Sequence, residues 1–149
     1  MRTPLCIVKE RMTHFQNSTA RLQPLFLLVA AVGLTPIALL YGFAPAHSME
    51  WIFGMDASGV NARHIFRAFM GLYLSLICFW VAGAFVVRLR TPALLSLFVF
   101  MVGLASGRLI SLAVDGWPHP LLMVYLVLEI VFGCVGWHLL KTTDRKSVV

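Results

Sequence analysis

Four long apolar runs, separated by short polar breaks, organise the chain: Leu25–Phe43, His64–Val87, Ala93–Val114 and Leu121–Leu140. Each is close to the roughly 20 residues that an α-helix needs to cross the hydrocarbon core of a bilayer. The pattern predicts an all-α fold, a four-helix transmembrane bundle. Thr35 and Pro36 fall in the middle of the first span. A proline there removes a backbone donor, so a kink is expected, with the freed carbonyl met by a neighbour or a hydroxyl. Residues 44–63 read as a long loop that mixes Met49, Trp51, Ile52, Phe53 and Met55 with Glu50 and Asp56. Such a mixture suits a segment lying along the membrane surface with its aromatics at headgroup level, or a lid over the mouth of the bundle. Arg88 to Pro92 reads as a short basic turn. Residues 1–24 and 141–149 read as basic tails, the first weakly ordered.

Composition sharpens this picture. The chain of 149 residues is 60% hydrophobic and 12% charged, about half the charged share of a soluble domain. The net charge of +6 would point to nucleic acid only if the basic residues clustered on a soluble face, and they sit beside the apolar runs instead. Nucleic acid is excluded as a partner. Arg2, Lys9, Arg11, Arg21, Arg88, Arg90, Lys141, Arg145 and Lys146 flank one side of the bundle, and Arg63 alone flanks the other. By the positive-inside rule both termini are cytoplasmic. No apolar core follows Arg2 as in a secretory signal, and Met12 is an alternative start. Cys6 lies in the tail; Cys78 and Cys134 lie within spans, without paired spacing, and are expected as small buried hydrophobes.

Charges inside the spans are the candidate chemistry. At about 1.5 Å per residue, Arg67, Arg108 and Glu129 fall at depths of roughly 5, 10 and 12 Å from the outer ends of their helices, with Asp115 at the rim. An unpaired charge near a helix centre costs on the order of 2.5–3.5 kcal/mol, so these groups are expected to meet. Glu129 is too short to reach water and needs a partner, and a guanidinium fork from Arg108 supplies one. Gly103 and Gly107 form a G-x-x-x-G face, and Gly71 and Gly133 lie one turn inward of Arg67 and Glu129, which would let helices approach closely there. One reading makes the charges an ionic lock that sets helix order. The other makes them a site opening to the outer face, with Asn61, His64 and His119 at its rim, completed by an anionic headgroup, a carboxylate or a quinone-type carbonyl. No C-x-x-C or H-E-x-x-H spacing accompanies the histidines, so no metal or cofactor is expected. His138 beside Trp137 reads as an interfacial anchor, and Ser106 and Ser111 have no catalytic partner in spacing.

Asn61, the run from Arg67 to Gly71, the string from Gly107 through Arg108 to Asp115 and Gly116, and Glu129 followed by Gly133 resemble a bacterial family of small four-span membrane proteins, domain of unknown function 4345. The resemblance covers about residues 25–140. Where that family often shows two glycines, this chain has Met70 and Gly71. The resemblance implies a four-helix bundle broadly similar to the DoxX-like proteins in a bacterial inner membrane. It brings no established activity, and it points to Asn61, Arg67, Arg108, Asp115 and Glu129 as the group that matters. Two functions follow. The first is a non-enzymatic multi-pass protein of the bilayer, an accessory subunit or a binder of an amphiphilic small molecule, with a membrane protein or a second copy as partner. The second is a small membrane enzyme or carrier acting on a lipid-like or quinone-like substrate. The first is favoured, because no nucleophile, metal or nucleotide motif is present.

Overall fold

Buried positions in the first apolar run recur at helical spacing: Leu27, Ala30, Ala31, Leu34 and Ala38. In the computed structural model, which describes the backbone of residues 4–144 and the side chains of residues 22–142, that stripe lies on helix α1 (Pro4–Gly42) and faces the core. The remaining helices are α2 (Pro45–Phe53), α3 (Val60–Phe85), α4 (Val87–Val114) and α5 (Pro120–Asp144). Among the described residues four segments are long and apolar enough to cross a membrane: Leu22–Gly42, Val60–Phe85, Val87–Val114 and Pro120–Thr142. The fold is an all-helical bundle. The side chains of the tail expected over residues 1–24 lie outside the described residues up to Leu22, as do those of the second tail after Thr142.

The long helices pack in chain order, α1 on α3, α3 on α4 and α4 on α5, whereas α1 and α5 barely touch. Their shared core joins the α1 stripe to Tyr73, Ile77, Trp80 and Ala84 of α3, to Ala93, Leu94, Leu97 and Met101 of α4, and to Leu139 and Leu140 of α5. Outward faces carry exposed Val, Leu, Ile and Phe, as helices bathed in lipid require. Pro36 does not end α1. Beside it, the Thr35 hydroxyl donates to the Ala31 carbonyl at 2.7 Å; the carbonyl that Pro36 deprives of its usual donor is that of Val32, so this bond is not the one expected.

The stretch before Leu25, read as a tail, is helical from Pro4 onward as part of α1, and three boundaries between helices also differ from the sequence reading. Part of the loop over residues 44–63 is helix α2, begun by Pro45, whose missing N–H costs nothing in a first turn. Gly54, at φ 65°, ends it in the left-handed conformation and donates its N–H to Glu50 at 2.9 Å. Met49, 1% exposed, pins α2 down, while Trp51 stays exposed. Second, α3 starts at Val60, a turn before His64. Third, the basic stretch Arg88 to Pro92 is helix; the turn is Val86 alone, in extended conformation. Arg90 makes so tight a corner tenable, because its Nη2 donates to the Ala84 carbonyl at 3.1 Å and so satisfies an otherwise open end of α3.

Close approach of α3 and α4 next to this corner depends on Gly83. A Cβ built there would overlap the Ala93 Cβ and come within 3.2 Å of the Leu89 carbonyl oxygen. Backbone cannot yield as a flexible side chain can. Gly83→Val is expected to destabilise the bundle by about 2 kcal/mol, the scale of overpacking a filled interior. Gly33→Ala, with open space at its Cβ, is the control that should not. Unfolding of both variants in mixed detergent micelles measures the difference.

Candidate functional site

Arg108 lies six residues from the end of α4 and Glu129 nine residues from the start of α5. Antiparallel packing of these neighbours sets the two side by side. The Arg108 Nε–H donates to both carboxylate oxygens of Glu129, at 2.8 Å to Oε1 and 3.0 Å to Oε2. Their side chains are 23% and 8% exposed, and the pair is the only ion pair among the described residues. It meets the expectation of a partner for Glu129. The expected two-pronged fork does not form: one N–H is shared by both oxygens. The guanidinium carbon instead lies over the Tyr125 ring, 5.6 Å from its centroid, and Arg108 also borders an opening in the bundle.

That opening is a cleft between α1 and α5. The two helices meet toward the Val86 end, where Phe26 stacks on Phe132 at 5.3 Å between centroids and the Gln23 amide donates to the Leu139 carbonyl at 3.5 Å. They part toward the α2 end. The gap holds a cavity of about 110 Å³, with Phe132 toward the Val86 end and the Arg108–Glu129 pair in its wall. Val29, Gly33 and Leu128 flank it and are exposed, so it opens sideways, between helices, rather than at the end of the bundle. A crevice of about 70 Å³ continues from Arg108 past Ser111 and Leu122 to Gly116 and Pro118.

All three tyrosines of the chain line the cleft: Tyr41 from α1, Tyr73 from α3 and Tyr125 from α5. The Tyr41 and Tyr73 rings are tilted at 6.0 Å, and Tyr41 is close enough to interact with the guanidinium of Arg108. Tyr73 is 7% exposed and lies within electrostatic reach of both Arg108 and Glu129. Neither the Tyr73 nor the Tyr125 hydroxyl is among the buried polar atoms left without a partner, which among the described residues is Arg90 Nε alone. The sequence reading missed these three residues. One signal was available: Tyr125 precedes Glu129 by four residues and therefore shares its helix face.

Other predicted members are placed elsewhere. Arg67 is exposed and outside the cleft. The core stripe of α3, carried back from Tyr73, passes through Met70 and Phe66, so Arg67 is about 100° off it. Asn61 and His64 are exposed on the first turns of α3. Asp115 is exposed too, and accepts a hydrogen bond from the Ser111 hydroxyl at 2.6 Å. His119 stands at the rim: its Nδ1 accepts the Leu121 N–H at 3.3 Å, and its ring meets Phe53 of α2 edge-on at 5.8 Å. Gly71, Gly103 and Gly107 face open space, so the G-x-x-x-G face joins no helices of this chain. The glycine contacts lie at Gly133, against Met101 and Val102, and at Gly136, against Phe98 and Phe26. Cys78 and Cys134 are exposed, contrary to the burial expected of them; a small polarizable side chain is as content against lipid as in a core. Among the described residues no three His, Cys, Asp or Glu side chains gather as a metal site.

Four long apolar helices around one internal ion pair and a side-opening cleft define a membrane-type helical bundle with a lateral pocket. Residues 22–140 match the family described as Domain of unknown function (DUF4345), and the chain belongs to that family. No curated protein and no solved structure matches it.

Proposed function

We propose that this protein is a non-enzymatic membrane protein that takes an amphiphilic small molecule from the bilayer into the cleft between α1 and α5. The observation that carries the reading is the placement of the bundle's internal ion pair in the wall of a cavity whose flanks are exposed apolar residues. A pair serving only to lock helix order has no use for an opening, or for three phenols around it. A headgroup at Arg108 with its tail leaving past Val29, Gly33 and Leu128 uses every part of the arrangement. We take the α2 end of the bundle to face out of the inner membrane and both termini to be cytoplasmic, a reading supported by the basic residues at the opposite end.

Gly33 supplies the test. It lines the cleft, and a Cβ at this position meets nothing within 4 Å, so a large side chain fills the space without displacing the helix. Replacing a helical glycine also lowers the backbone entropy cost of folding. Wild-type protein purified in mild detergent should carry about one amphiphile per chain, identified by mass spectrometry of the native protein. Gly33→Phe should melt no lower than wild type and carry none. Equal loading of the two proteins, or an empty wild type, refutes the cleft as a binding site.

A further inference from the structure

Hydrogen-bonding capacity in the cleft leans toward donors. Glu129, the only carboxylate lining it, spends both oxygens on the Arg108 Nε–H. The other polar groups lining it are the amino groups of Arg108, which can only donate and lie within hydrogen-bonding reach of Tyr41, and the hydroxyls of Tyr41, Tyr73 and Tyr125, which can donate as well as accept. Tyr73 is 93% buried by its 7% exposure, so its hydroxyl has no recourse to water except through the cleft. An occupant that brings acceptors can use every one of these groups.

Charge decides which acceptors. Arg108 and Glu129 together sum to zero, and the described cleft lining contains no other charged side chain. A carboxylate or phosphate entering the cleft would set a second anion beside Glu129 around one guanidinium, in a medium that screens poorly. An uncharged acceptor leaves the balance intact. Shape narrows it further. A cavity of about 110 Å³ is on the scale that holds a single six-membered ring, and its walls include the rings of Tyr41, Tyr73, Tyr125 and Phe132, against which a flat group stacks.

Resting on the cleft being a binding site, we infer that its ligand is a neutral amphiphile with one planar ring bearing carbonyl oxygens, of the quinone class. One carbonyl accepts from the Arg108 amino groups, Tyr73 donates to the ring's acceptors, and the alkyl tail leaves between α1 and α5 beside Gly33.

Full-length protein in lipid nanodiscs tests this with three probes of similar tail length. These are a trimethyl decyl benzoquinone, whose full ring substitution prevents addition by the exposed Cys78 and Cys134, decanoate, and decylbenzene. Nanodiscs holding Gly33→Phe are measured alongside, so that partition into lipid is subtracted. The quinone should bind about tenfold tighter than either competitor, the difference that one or two hydrogen bonds confer. Tyr73→Phe should weaken the quinone about fivefold and leave decylbenzene unchanged. If decanoate binds tightest and Gly33→Phe excludes it, the cleft is a binding site but its ligand is an anion, and this inference falls. Equal affinities for quinone and decylbenzene overturn it as well. If no probe distinguishes wild type from Gly33→Phe, the inference and the binding site fall together.

Discussion

Arg108→Leu and Glu129→Leu will each lower stability by about 3 kcal/mol, and the double replacement will recover most of that loss. Breaking a buried pair costs about 3–5 kcal/mol because the survivor is left as an uncompensated charge. The lower end applies because the Arg108 side chain keeps 23% of its surface exposed and opens onto the crevice toward Gly116. Glu129, at 8%, has no such relief. Its carboxyl can, however, take up a proton and become neutral, which a guanidinium cannot, so Glu129→Leu, which strands the charge that cannot be discharged, should be the worse of the two at neutral pH. Replacing both members removes charge and desolvation together, and leucine refills the volume between α4 and α5. A double-mutant cycle of unfolding in bicelles gives the coupling directly. Additive losses would show that the two groups act independently, contrary to their 2.8 Å contact. The cycle also separates stability from function: the double variant folds, yet has no donor fork to offer a ligand and should purify empty.

This pair was legible in the sequence because depth is. The rise per residue fixes how far Arg108 and Glu129 lie from their helix ends, and antiparallel neighbours bring equal depths together. Rotation about the helix axis is harder to read. In a soluble protein a polar face marks the outside of each helix, but here every face is apolar, since lipid and core accept the same side chains. Arg67 illustrates the result: it has a depth suited to the pair, and a direction about 100° off the core stripe. Gly103 and Gly107 illustrate it again, being correctly spaced for a helix contact and turned away from all helices of the chain. The cleft was illegible for a related reason. It arises because α1 and α5 close on each other only around Phe26, Phe132, Gln23 and Leu139, and the gap above them is a property of four helices at once. The tyrosines belong to that gap and to no motif. At the two corners, local rules misled differently: the stretches holding Pro45 and Pro92 read as a loop and a turn, whereas Pro45 begins a helix and Pro92 lies six residues into one whose corner Arg90 secures.

Trp80→Ala is expected to cost about 3–5 kcal/mol, the range for truncating a large buried aromatic. Trp80 is the largest side chain that the bundle buries completely, at 0% exposure. Its Nε1–H donates to the Ser96 hydroxyl at 3.0 Å, and that hydroxyl donates in turn to the Ala93 carbonyl at 2.8 Å. Trp80→Phe keeps most of the volume and removes only the donor, so it should cost about 1 kcal/mol. The contrast between the two variants divides packing from hydrogen bonding. Trp80 also reaches the cleft through rings: it meets Phe100 at 5.6 Å, and Phe100 meets Tyr73 edge-on at 5.3 Å. Removing the indole leaves Phe100 without support on the side away from Tyr73, and a void there lets Phe100 withdraw. Tyr73 then loses the wall that holds its hydroxyl toward Arg108. Trp80→Ala should therefore release the cleft's ligand under conditions where the bundle is still folded, while Trp80→Phe retains it. Thermal unfolding and bound amphiphile per chain, measured on the same preparations, check both halves. Full loading of folded Trp80→Ala protein would show that the cleft keeps its shape without support from the core behind it.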